Sequence, residues 1–243
     1  MKEIDNMIPK ILHFYWESQD KDNISLPLDS LNIISEWKKK HPDYLIKIWS
    51  YNEIMEDMNL SFIDGLKESF LSCNLPAMRS DIARLFVLYK YGGIYNDLKN
   101  YPNQSFLDQF NDAKFIISEH PPTIDRISFN EHFSNCFIGS IRQNKIILTV
   151  LNKIINNIQN RVQRSVVDVT GLEVIKLFLK SIDLTNKDII IVDSETAWGK
   201  RKIANISEEQ GYMQRVSANY NGKNNNLHWS KLQKISGLYR EIN

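Results

Sequence analysis

The period of the apolar positions changes several times along the chain, and each change marks an element. Ile8 to Trp16 is a continuous apolar and aromatic run with the length of a buried strand. Residues 29 to 40 then take helical spacing, with Asp29 or Ser30 as cap and a stripe at Leu31, Ile34 and Trp37 or Lys38. His41-Pro42 ends that helix. Tyr44 to Trp49 reads as a second strand, and Ser50-Tyr51-Asn52-Glu53 has the spacing of a capping box opening a short helix. Strand, helix and strand within the first fifty or so residues predict a parallel α/β sheet.

The strongest helical signal follows. Pro76 suits a first turn, Met78, Ile82, Leu85 and Tyr89 form one apolar face, and Gly92-Gly93 provides the stop. Ile94 to Asp97 is a short strand leaving that stop, which sets Asp97 near a strand's carboxyl end, where open α/β sheets place their ligands. Lys114 to Ser118 and Cys136 to Ser140 are further strands, and Asn144 to Ile158 is a helix with Ile147, Leu151, Ile154 and Ile158 on one face. Thr170-Gly171-Leu172-Glu173 has capping-box spacing before a helix to about Ile182, and Asp188 to Asp193 reads as a late strand. Residues 199 to 226 are polar and read as loop, with a turn at Asn221-Gly222.

Composition narrows the function classes. The 243 residues suffice for one core and show no repeat or linker, so residues 1–243 are read as a single domain. A net charge of +1 gives no bulk attraction for nucleic acid, and the run Lys38-Lys39-Lys40 suits a helix end. Two cysteines, Cys73 and Cys136, make neither a disulfide framework nor a zinc site. Met1-Lys2-Glu3-Ile4-Asp5 puts acids where a signal peptide is basic and apolar, and no run has transmembrane length. The expectation is a cytoplasmic protein, or one exported without such a signal, with peripheral membrane association left open.

The chemistry is concentrated between residues 79 and 99. Asp81 and Arg84 stand three apart on one helix face, which by spacing alone reads as an intrahelical ion pair. Arg79 falls on another face and reads as solvated or as a phosphate contact. A pyrophosphate leaving group needs its growing charge neutralised, by a carboxylate-held cation or by fixed basic side chains. Asp97 suits the first device and Lys99 the second.

The order and spacing of these residues resemble a known family. Ile8-Pro9-Lys10-Ile11-Leu12-His13-Phe14-Tyr15-Trp16 and the block from Ser80-Asp81-Ile82-Ala83-Arg84 through Tyr91-Gly92-Gly93-Ile94-Tyr95-Asn96-Asp97 are similar to the DXD sugar transferases. That family includes yeast initiating mannosyltransferases and bacterial polysaccharide enzymes. The block equally resembles the glucosyltransferase domains of large clostridial toxins. Weaker echoes are Asn135 to Ser140, Thr170-Gly171 and His228-Trp229.

The resemblance implies a GT-A fold, Rossmann-like, with a mostly parallel central sheet and helices on both faces. It also implies a retaining glycosyltransferase that uses a nucleotide-sugar donor, UDP-linked, and a hydroxyl acceptor such as a growing surface polysaccharide. Trp16 matches the aromatic that stacks on the base, and Asp81 with Arg84 the pair that holds the donor sugar. Tyr95 and Asn96 precede Asp97, the first Asp of DXD, while His228 and Trp229 match a segment that closes over the diphosphate.

Lys99 departs from the pattern, because it stands where the second Asp belongs. An ammonium there repels a cation, which puts Mn or Mg coordination by Asp97 and His228 in question. Either Lys99 itself supplies the positive charge, or Asp97 and His228 still hold a metal weakly. The third reading is a degenerate site that binds without turnover. An effector that glycosylates a host protein is the alternative to a glycan-directed enzyme.

Overall fold

The computed structural model describes residues 6–18, 25–120, 133–199, 210–216 and 229–240. In chain order these form β1 (Ile11–Trp16), α1 (Leu28–Lys40), β2 (Leu45–Ser50), α2 (Tyr51–Met58), α3 (Leu66–Ser72), α4 (Pro76–Tyr91), β3 (Gly93–Asn96) and β4 (Asn100–Pro102). Next come β5 (Phe115–Glu119), β6 (Phe133–Ser140), α5 (Lys145–Gln159), α6 (Val166–Val169), α7 (Leu172–Leu179), β7 (Ile189–Val192), α8 (Ser194–Trp198), β8 (Met213–Arg215) and α9 (Trp229–Ile235).

Six strands build one sheet in the order β2-β1-β3-β6-β5-β7. All run the same way except β6, which is antiparallel to both β3 and β5. Alternate strand residues feed two separate cores, as the period of two requires. Tyr15, Tyr95, Ile117 and Ile138 face the side covered by α4, α5 and α7. Phe14, Ile94, Ile116 and Phe137 face the side where α1 and α8 pack through Trp37 and Ala197. The expected mostly parallel sheet with helices on both faces is the observed one.

Several local expectations change. The cap of α1 is Pro27, and its buried stripe is Ser30, Ile33 and Trp37, while Leu31 is exposed. Packing on Phe106 and a bond from Trp37 Nε1 to Asn100 O fix that rotation. Ser50 does form its capping box with Glu53. The second box is closed by Ser165 and Asp168 at α6, not by Thr170 and Glu173. Gly171 precedes α7 without a side-chain cap, α7 ends at Leu179, and Thr170 is engaged elsewhere. Met213–Arg215, within the stretch read as loop, pairs antiparallel with β4 as a two-stranded ribbon. The turn at Asn221-Gly222 lies outside the described residues.

Register at the sheet's centre depends on the two glycines. Gly92 ends α4 at φ +65° and Gly93 enters β3 at φ +95°, both in the region that L side chains rarely adopt. A Cβ on Gly93 would lie 2.5 Å from Ile11 O, so β3 can approach β1 only without one. His13 locks the junction. Trp49 Nε1 donates to His13 Nδ1 at 3.0 Å, which leaves the proton on Nε2, and Nε2 donates to Gly92 O at 2.8 Å. Burial holds His13 neutral by pushing its pKa down to about 4. Gly93→Ala combines backbone strain with a backbone clash, and should lower unfolding stability by about 2–4 kcal/mol in urea titrations. An unchanged midpoint would show that β1 and β3 can separate at little cost.

Candidate active site

The carboxyl ends of β1 and β3 and the start of antiparallel β6 meet at one edge of the sheet. A cavity of about 680 Å³ opens there, a size that suits a nucleotide-sized ligand. Trp16 reaches it from β1, Asp81 and Arg84 from α4, and Tyr95, Asp97 and Lys99 from β3 and the turn after it. Asn135, Gly171, Lys176, Arg215 and Trp229 complete much of the wall. Segments far apart in sequence therefore converge on Asp97.

Asp81 is buried and bonded at both carboxylate oxygens, with one acceptor position left toward the cavity. Its Oδ1 accepts from Arg84 Nη1 at 2.8 Å and Asn135 Nδ2 at 3.0 Å, while Oδ2 accepts from Thr170 Oγ1 at 3.0 Å. Gly171 leaves room for this, since a Cβ there would meet Val167 Cα at 2.9 Å and Asp81 Oδ2 at 3.4 Å. Burial raises the Asp81 pKa to about 6 against the opposing pull of Arg84 and Thr170. Arg84 bridges onward from Nη2 to Asp97 Oδ1 at 3.2 Å, and its guanidinium lies 4.7 Å from the Tyr95 ring centroid. Burial disfavours its charge, but Asp97 and Asp81 outweigh that, so Arg84 stays cationic. The Tyr95 phenol, raised to about 12 by burial, stays neutral beside Ser80 Oγ at 3.3 Å.

The predicted site residues divide accordingly. Trp16, Asp81, Arg84, Tyr95, Asp97, Lys99 and Trp229 share the cavity wall. Asn96 is absent from that wall: it is fully buried, and its Oδ1 accepts from Asn100 Nδ2 at 2.9 Å, holding the β3–β4 turn. His228 lies outside the described residues. Arg79 is neither solvated nor in the cavity wall. It is buried in an ion pair with Glu17, Nη2 to Oε1 at 2.7 Å, which Tyr15 OH extends to Glu17 Oε2 at 2.9 Å.

Residues 27–121 match the family described as the glycosyltransferase sugar-binding region containing the DXD motif. Over these residues the chain is similar to the DXD sugar transferases. The chain is similar in sequence to inositol phosphoceramide mannosyltransferase 1 of Schizosaccharomyces pombe, at 30% identity over 94 residues, 37% of this chain and 28% of that protein. A second relative is mannosyl phosphorylinositol ceramide synthase CSH1 of Saccharomyces cerevisiae, 26% identical over 159 residues, 61% of this chain and 35% of that one. The chain thus spans roughly a third or less of the length of these relatives. In fold it is similar to the PaToxG glycosyltransferase, with TM-score 0.51 and 19% identity over 74% of this chain and 72% of that one. The UDP-bound glycosyltransferase domain from the YGT toxin gives TM-score 0.54 and 10% identity, covering 78% and 81%. At such identities the likeness is one of fold, and that fold is GT-A.

Within the DXD region the metal position does not suit a divalent cation. Such an ion is held by one or two unencumbered carboxylates, with water and phosphate oxygens completing its shell. Asp97 already has Arg84 at one oxygen and Arg215 Nη2 at 3.8 Å from the other, with Lys99 two residues on. Among the described residues no three His, Cys, Asp or Glu side chains gather into a metal-sized group. Lys99 is half-buried, and its pKa is lowered by that burial and by the Arg215 charge, with Asp97 opposing.

Sequence reasoning missed Arg215, Asn135 and the Glu17–Arg79 pair. Arg215 falls in a stretch with no usable period, and Asn135 in a segment noted only as a weak echo. Glu17 and Arg79 are joined by tertiary packing alone. Arg79→Ala would strand the Glu17 carboxylate at the cavity rim, so we expect about 3–5 kcal/mol of lost stability in denaturant unfolding. A loss below about 1 kcal/mol, as for an exposed pair, would contradict that burial.

Proposed function

We propose that this chain transfers a hexose or N-acetylhexosamine from a nucleoside diphosphate, UDP in the first instance, to a hydroxyl acceptor. The observation that carries the reading is the buried chain Asp81–Arg84–Asp97, fixed by hydrogen bonds and facing a nucleotide-sized cavity. The match of residues 27–121 to the DXD sugar-transferase family and the mannosyltransferase names of the yeast relatives support it. In this reading residues 1–243 act as one cytoplasmic glycosyltransferase domain, and the acceptor is a growing surface polysaccharide. No helix of the described residues is long and apolar enough to cross a membrane.

Each residue then has a physical role. Trp16 offers a flat face to the base, and Trp229 closes the cavity from α9. Asp81 and Arg84 hold the sugar hydroxyls, an arrangement preorganised before the donor arrives. The bond between C1 and the β-phosphate oxygen breaks, and its electron pair leaves on the diphosphate. The acceptor oxygen bonds to C1 on the same face, giving retention, and its proton passes to the departing phosphate oxygen.

The test is donor hydrolysis and transfer across UDP- and GDP-linked sugars. Asp81→Asn should lower kcat/KM by about a hundredfold or more. Because Asp81 must be ionised to hold Arg84, kcat/KM should fall as pH drops below about 6, the raised value set by burial. That break should vanish in Asp81→Asn. No turnover of any donor, with nucleotide binding retained, would instead identify a binding module with a decayed site.

A further inference from the structure

We infer that Lys99 and Arg215 form the diphosphate subsite, in place of the divalent cation that an acid at position 99 would help to hold. The inference rests on reading the cavity as a donor site. It starts from the β4–β8 ribbon, which lies outside the main sheet and brings β8 to this edge of it. Its register sets Arg215 opposite Asn100, and Val216 N donates to Lys99 O at 2.9 Å. Two cations from distant parts of the chain are thereby held side by side, and both line the cavity with Asp97.

Charge bookkeeping favours an anion here. Around Asp97 stand Arg84, Lys99 and Arg215, against the carboxylates of Asp81 and Asp97, while the other acids lining the cavity, Glu17 and Glu173, are paired with Arg79 and Lys176. Arg84 is committed to Asp81 and Asp97 by its short contacts. Arg215 touches Asp97 only loosely, at 3.8 Å, with its side chain 39% exposed, so it can turn to a ligand at small cost. Three cations against two carboxylates leave the group net positive, which disfavours a divalent cation and favours a diphosphate at the two looser charges, Lys99 and Arg215. The pair is also chemically matched to two neighbouring phosphates. Arg215 offers a planar fork for two oxygens, and Lys99 offers a compact charge with rotatable donors.

The experiment is calorimetric titration of the full chain with UDP, GDP and uridine, in EDTA and in Mn²⁺. UDP should bind with the same affinity in both, to within about twofold. Arg215→Gln and Lys99→Gln should each weaken UDP by about tenfold to a hundredfold, the loss of a charge-assisted contact, and leave uridine unaltered. Lys99→Asp should make UDP affinity depend on Mn²⁺. Thermal unfolding of each variant separates misfolding from lost contacts, and uridine reports on the rest of the site. A parent protein that binds UDP only with Mn²⁺ overturns the cation subsite and leaves the glycosyltransferase reading standing. The same holds if Arg215→Gln binds UDP as the parent does. Metal-free UDP binding without turnover of any sugar donor keeps the subsite and removes the transferase. Failure to bind any of the three ligands in either condition removes both.

Discussion

Burying the Arg84 guanidinium is the constraint on which the candidate site depends. A cation at 4% exposure is tolerable only if anions and π-faces replace its water. Three elements supply these: α4 gives Asp81, β3 gives Tyr95, and the turn beyond gives Asp97. Asp81 in turn needs partners, and it draws in Asn135 from β6 and Thr170 from the link between α6 and α7. One buried charge thus fixes the relative positions of five segments. It also explains why α4 is buried on nearly every side from Met78 to Leu88, and not along a single stripe.

The glycine pair serves the same end from the backbone. Asp97 reaches Arg84 only because β3 starts at the right height against β1, and that height is set by contact with Ile11 O and by neutral His13. Packing and electrostatics are therefore coupled, since a shift of the strand would leave the guanidinium short of one carboxylate.

The sheet and most helices were legible in the sequence because they follow from burial period and stop signals, which are local. Asn144 to Ile158, with Ile147, Leu151, Ile154 and Ile158 all buried, is a case in point. Asp81, Arg84 and Asp97 were legible through spacing and resemblance together. What escaped was decided by tertiary contact. Thr170 has the spacing of a cap yet spends its hydroxyl on Asp81, and α1 rotates to bury Ser30 and Ile33 where Trp37 meets Phe106. Arg215 sits on a three-residue strand that exists only because β4 pairs with it, so no pattern within its own segment could mark it.

That dependence has an evolutionary side. The β4–β8 ribbon touches the reaction edge without carrying the main sheet, so residues at its tip can be exchanged while the scaffold of β1, β3 and β6 is left intact. A lineage could therefore change the sign of the charge at this end of the cavity by altering positions 99 and 215. The fold separates the buried Asp81–Arg84–Asp97 chain, tied to the main sheet, from the charges at the ribbon, which can vary without disturbing it.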